Sequence, residues 1–81
     1  MTLDIDRYRV NVPFLIVQLA RKETEEERMS VVNEFAVVTG VPVLACFYYY
    51  AEIYGLSPAI QRSIDSLTAF YRVTNVLGVR A

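Results

Sequence analysis

From Phe35 to Ala51 the chain reads FAVVTGVPVLACFYYYA, seventeen residues without a charge. Residues 41–54 carry no polar strip at helical spacing. Valines, a leucine, a phenylalanine and three consecutive tyrosines surround the axis. A helix that is apolar on every side must be buried in protein or in lipid. That demand falls on a short chain. Eighty-one residues allow one domain, 1–81, of a size whose core supplies only ~3–5 kcal/mol. Yet 54% of the residues are hydrophobic, above the ~45–50% usual for a soluble domain. The surplus is expected to meet a second copy, another protein or lipid.

The punctuation is helical. Thr24 and Glu27 form a capping-box pattern for a helix that begins near Glu25, and Gly40 suits its end. Pro42 fits a first helical position and Gly55 a C-terminal stop. Ser57 and Pro58 make an N-cap and first-turn pair for a last helix. In that helix Ile60, Ile64, Leu67 and Tyr71 recur on one face, with Gln61, Asp65, Thr68 and Arg72 opposite. Residues 29–39 have a polar strip from Ser30, Asn33 and Glu34. The N-terminal RYRVNVPFLIV alternates well enough for a strand, but the stretch from Pro13 onward reads better as helix. Pro13–Thr39 is then either one helix of roughly 40 Å or two joined by a turn at Lys22–Thr24. The pattern predicts an all-α chain folded as a kinked helical hairpin. A long N-terminal arm bends at Gly40 and Pro42, a corner falls at 55–57, and a second arm covers 58–76.

Composition excludes most catalysis. Histidine is absent, which removes Ser-His-Asp and Cys-His pairs and imidazole metal sites. The three glycines are scattered, so no phosphate cradle exists. Glu23, Glu26 and Glu27 read as a solvated face, with Arg21–Glu25 and Lys22–Glu26 pairs at i, i+4. No cofactor is implied, and the chain reads as a non-enzyme. The single Cys46, between Ala45 and Phe47, reads as a small core filler and reveals no redox compartment. Arg7 and Arg9 before VNVPFLIVQLA faintly resemble a signal peptide, against which Asp4 and Asp6 argue.

Net charge is −1, without the electrostatic signature of nucleic-acid binding. Only residues 57–81 hold a positive excess, from Arg62, Arg72 and Arg80 against Asp65. These three arginines are the candidate phosphate contacts. The stretch AEIYGLSPAIQRSI resembles the helix-turn-helix of bacterial and archaeal regulators, in which Pro58, Ala59 and Arg62 would face the groove. It departs at Gln61, where that motif wants an aliphatic residue. A membrane span over Phe35–Ala51 is at the short limit for ~30 Å of hydrocarbon, and Glu34 and Glu52 bracket it. Membrane is the lesser reading.

Tyrosine joins a large apolar body to a hydroxyl that can reach a partner. Tyr48, Tyr49 and Tyr50 point in three directions around a helix, which suits a subunit with neighbours on several sides. The expected self-assembly interface is Phe47, Tyr48, Tyr49, Tyr50 and Tyr54. The apolar hairpin SVVNEFAVVTGVPVLACFYYYAEIYGLSP followed by AIQRSIDSLTAFYRVTNVLG resembles the short helical coat proteins of archaeal rod-shaped and bacilliform viruses. It is also similar to small two-helix pilins. That resemblance implies helical self-assembly in a virion shell or extracellular filament and, for the coats, an enclosed DNA genome. The first expectation is therefore a many-copy structural subunit. The second is a cytoplasmic DNA-binding regulator, and the third a membrane-associated hairpin.

Overall fold

A computed structural model describes residues 4–76 of the chain, and over that span every regular element is a helix. A 3-10 helix, Ile5–Asn11, runs directly into α1, Val12–Leu19. Then come α2, Glu25–Thr39, α3, Val43–Tyr54, and α4, Pro58–Val76.

The 3-10 stretch is longer than such helices usually run, and three features explain it. The Asp4 carboxylate accepts from the Asp6 amide at 3.1 Å and caps its start. Pro13, in the first turn of α1, lacks the N–H that an α-helix would need there and would crowd the carbonyl four residues back. The chain instead closes a tighter bond, from the Val12 amide to the Arg9 carbonyl. The third is a tether: the Tyr49 hydroxyl donates to the Ile5 carbonyl.

Residues 13–39 form two helices rather than one. The amides of Arg21 and Lys22 bond back to the carbonyls of Gln18 and Leu19, and the chain turns without a glycine or proline. The capping box restarts it. Thr24 Oγ1 accepts from the Glu27 amide at 3.2 Å, and Glu27 reaches back to the Thr24 amide at 3.3 Å. Glu25, Glu26 and Glu27 crowd the first turn of α2, where the helix dipole favours negative charge. Because Arg21 and Lys22 lie in the turn, they leave the helical register that their expected pairing with Glu25 and Glu26 required.

The expected bend at Gly40 and Pro42 is a full break. Gly40 takes the left-handed conformation (φ 78°, ψ 3°), and its amide closes on the Ala36 carbonyl. Thr39 Oγ1 donates to the Phe35 carbonyl at 2.7 Å and accepts from the Val41 amide at 3.3 Å. Pro42 is the N-cap of α3 rather than its first residue. So α2 and α3 are separate helices packed on one another, and the kinked hairpin gives way to four helices. Gly55, at φ 96°, ends α3, and Ser57 Oγ accepts from the Ile60 amide at 3.3 Å to start α4.

The apolar run is the centre of this arrangement. Helix α3 packs against α2, α4 and the 3-10 helix, while α1 lies on α2. Leu44, Ala45, Cys46, Phe47, Tyr49 and Tyr50 of α3 are all buried. Around them sit Leu15 and Leu19 from α1, Val32, Phe35 and Ala36 from α2, and Ile60 and Ile64 from α4. The helix without a polar face is covered by its own chain.

Candidate self-association surface

Covering α3 relocates the apolar excess. Phe47, Tyr49 and Tyr50 are buried within the chain, and Tyr48 is half-buried. The premise that one copy cannot cover them is thus corrected, and in this fold the three buried rings offer nothing to a neighbour. Tyr54 alone of the five expected contacts is exposed.

Exposed apolar side chains occur at several places, among them Ile53, Leu56 and Phe70 near and on α4, but the longest run lies on and just before α1. Val10, Phe14 and Val17 recur at i, i+4, i+7 and are 75%, 64% and 56% exposed. Phe14 and Val17 lie opposite the buried Leu15 and Leu19, so α1 is apolar on both faces while only one face is packed; Val10 precedes them at the end of the 3-10 helix. Ile16 widens the strip. At the far end of α2, Val37 and Val38 are 83% and 76% exposed. A continuous apolar strip of this kind marks a contact surface more than a scatter of single residues does.

Two polar networks tie the helices together around the core. In the first, Arg28 Nε donates to the Tyr50 hydroxyl at 2.8 Å, and that hydroxyl donates to Glu25 Oε2 at 3.2 Å. The other Glu25 oxygen accepts from Ser57 Oγ at 2.7 Å. One carboxylate therefore ties the N-terminus of α2 to that of α4. The Arg28 guanidinium also lies 4.6 Å from the Tyr54 ring centroid, and the Tyr50 and Tyr54 rings stack at 5.0 Å. Burial pushes the Tyr50 phenol up, opposed by Arg28, and the Tyr50 bond raises the Arg28 guanidinium. In the second network Arg9 makes a forked pair with Glu52, at 2.9 and 3.0 Å, and bonds Asp6 at 2.6 Å. Those bonds raise the Arg9 guanidinium and hold the Glu52 carboxyl below its ordinary range. Among the described residues, every buried side-chain nitrogen and oxygen has a partner. The tyrosine run is thus a set of core rings whose hydroxyls reach the edge, the behaviour expected of tyrosine but directed inside one chain.

The arginines expected to meet phosphate are spread out. Arg62 and Arg72 are both exposed on α4, ten residues or about 15 Å apart along the axis. Arg80 lies outside the described residues. Asp65 accepts from Gln61 at 2.8 Å. A groove of about 470 Å³ between α3 and α4 is edged by Glu52 and Asp65, both carboxylates, over a floor that includes Tyr48, Leu56 and Ile64. That edge repels phosphate.

Among the described residues, no helix is long and apolar enough to cross a membrane, and no cluster of histidine, cysteine or acidic residues could hold a metal ion. Burial pushes the Cys46 thiol up to about 11. Compared with family models, with curated proteins and with solved structures, the chain matches none of them.

The strip on α1 was the feature least visible in the sequence. VNVPFLIVQLA is apolar all round, like the tyrosine segment, and periodicity cannot say which of two such helices takes the centre. The difference is one of neighbours, which the sequence does not show: α3 packs against α2, α4 and the 3-10 helix, whereas α1 packs on α2 and the 3-10 helix that leads into it.

Proposed function

We propose that this protein is a structural subunit that works by associating with copies of itself. The contact surface is the outside of α1 and the end of α2, and the tyrosine run lies behind it as core. The observation that carries this reading is the exposed Phe14 and Val17 on a helix already packed through its other face, with Val10 exposed at the end of the 3-10 helix before it. The virion shell or extracellular filament is the extended form of the same reading. It needs a second contact surface besides α1, and Val37 and Val38 are the candidates. Sedimentation across a concentration series tests association, and negative-stain electron microscopy tests for regular particles. Concentration-dependent assembly that Phe14→Glu abolishes, with helical content unchanged, is the expected result. A wild-type chain that stays monomeric at every concentration refutes the reading.

A DNA-binding regulator is the second reading, favoured by the three-residue corner at Gly55–Ser57 and by the exposed Pro58 and Arg62 at the start of α4. The acidic edge of the neighbouring groove counts against it. If DNA is bound or enclosed, Arg62, Arg72 and Arg80 are its backbone contacts. Replacing all three with glutamine should then weaken binding evenly across sequences and lower its salt dependence. Binding unaffected by that triple variant removes these arginines from consideration.

A further inference from the structure

Tyr49 and Tyr50 are both buried, yet their polar partners come from different elements. The Tyr50 hydroxyl is held by Arg28 and Glu25 of α2. The Tyr49 hydroxyl donates to the Ile5 carbonyl of the 3-10 helix, and the Arg9 guanidinium lies 5.5 Å from its ring centroid. That 3-10 helix is held more lightly than the rest of the fold. None of its residues is buried. Ile5, Tyr8 and Asn11 fall three apart, the period of a 3-10 helix, and line one half-buried face. Ile5 and Tyr8 pack on the core from outside. The other ties to α3 are polar, namely the Tyr49 bond and the half-exposed fork of Arg9 with Glu52. At the junction with α1 stands Pro13, which has no amide to donate, so the α1 ladder lacks a bond there.

A segment with few buried contacts and exposed hydrogen bonds opens ahead of the fold that carries it. We propose that Ile5–Asn11 is a strap that opens as a unit about the junction at Pro13, while α2, α3 and α4 stay packed, and that its opening uncovers Tyr49. Tyr49 then loses both of its polar partners, whereas Tyr50 keeps its own. Glu52 loses Arg9 in the same movement, so the edge of the groove between α3 and α4 gains a carboxylate freed of its cation. The closed strap presents a covered α3, and the open strap presents a tyrosine ring beside a more acidic groove. The device needs one copy only and stands apart from the self-association proposed above.

Amide hydrogen exchange of the full chain, read by NMR, tests whether the strap opens alone. The amides of Tyr8 to Val12 should exchange roughly tenfold or more faster than those in the middle of α3. Their exchange should depend little on denaturant, because local opening exposes little surface. Ile60→Val trims a fully buried side chain on α4, whereas the 3-10 helix packs on α1 and α3. It should speed exchange within α3 and α4 roughly two- to tenfold and leave Tyr8 to Val12 unchanged. Tyr49→Phe keeps the ring and removes its bond to the strap, so it should speed Tyr8 to Val12 roughly two- to tenfold.

Acetylation by N-acetylimidazole, located by mass spectrometry, reads the uncovering itself. Two rings so similarly buried would be acetylated alike in a fold without a strap. Opening should label Tyr49 roughly tenfold faster than Tyr50, which waits for the whole fold to open. If Tyr8 to Val12 respond to Ile60→Val as strongly as α3 does, the segment opens only with the rest of the molecule and the proposal falls. Equal acetylation of Tyr49 and Tyr50 overturns it too, because an opening that leaves Tyr49 covered is not this strap.

Discussion

Gly40→Ala separates a broken helix from a bent one. At φ 78°, Gly40 sits where an L-residue pays about 1–2 kcal/mol. A β-carbon added there meets nothing within 4 Å, so crowding adds nothing to that figure. Alanine also restricts the unfolded chain, which returns about 0.4–1 kcal/mol. The net loss is about 0.5–1 kcal/mol, a fall of roughly 2–8 °C in Tm for a domain of this size. Gly40→Asn should lose less, because asparagine tolerates the left-handed region. Adding Pro42→Ala makes the test severe. Helix propensity now favours fusing α2 and α3 by about 4 kcal/mol, ~1 from the glycine and ~3 from the proline. Against this, a straight helix from Glu25 to Tyr54 would be about 45 Å long, where the whole molecule measures 39 Å in its longest dimension. It would also pull Val32 and Phe35 away from Leu44 and Phe47, at about 1.5–3 kcal/mol for each side chain exposed. Burial wins, and the double variant should keep four helices. Thermal unfolding and small-angle scattering, both in the Phe14→Glu background to suppress association, check this. A rise in Tm for Gly40→Ala, or a particle lengthened past about 45 Å for the double variant, would refute the reasoning.

Three further outcomes rest on the same geometry. Phe47→Glu places a charge among buried apolar side chains and should unfold the chain, while Tyr54→Glu, at an exposed ring, should fold with near-normal circular dichroism. A folded Phe47→Glu protein would mean that α3 is not central. Acid should weaken the tie between the 3-10 helix and α3. The Glu52 carboxyl lies below its ordinary 4.5 because Arg9 bonds it, so its stabilisation is complete above that value and is lost as pH falls through the lower, folded one. Glu52→Gln should therefore melt with a smaller drop in Tm between pH 6 and pH 3 than the natural chain. An equal drop assigns the acid sensitivity elsewhere. The Cys46 thiol, buried and raised to about 11, should resist iodoacetamide at pH 8 and react fully in urea. Fast labelling of the folded chain would place α3 at the surface.

Local signals in this sequence were legible where the physics is local. The capping box at Thr24–Glu27, the stop at Gly55 and the Ser57–Pro58 start each depend on a few neighbouring atoms, and each is found where the residues put it. The buried Ile60 and Ile64 face of α4 was likewise readable from spacing. What failed was the step from local to global. Gly40 and Pro42 in close succession are compatible with a bend or a reversal, and the choice lies with the core the two helices can share. The tyrosines suggest an outward-facing set because no polar strip balances them. Their partners are Arg28, 22 residues away, and the Ile5 carbonyl, 44 residues away. No periodicity pairs residues at such separations. The forked Arg9–Glu52 pair, 43 residues apart, was hidden for the same reason.

The break at Gly40 therefore decides where the apolar surplus of this chain goes. A continuous α2–α3 rod would leave the tyrosine run uncovered and force neighbours onto it. Folding α3 back places that run in the interior and gives Tyr49 and Tyr50 their polar partners from the same chain. The cost of that arrangement appears one layer out. Packing α1 on α2 buries Leu15 and Leu19, and among the described residues Phe14 and Val17 stay exposed. The same substitution should consequently have opposite effects in the two layers. On the self-association proposed above, a charge at Phe47 should destroy the fold, whereas a charge at Phe14 should spare the fold and remove association alone.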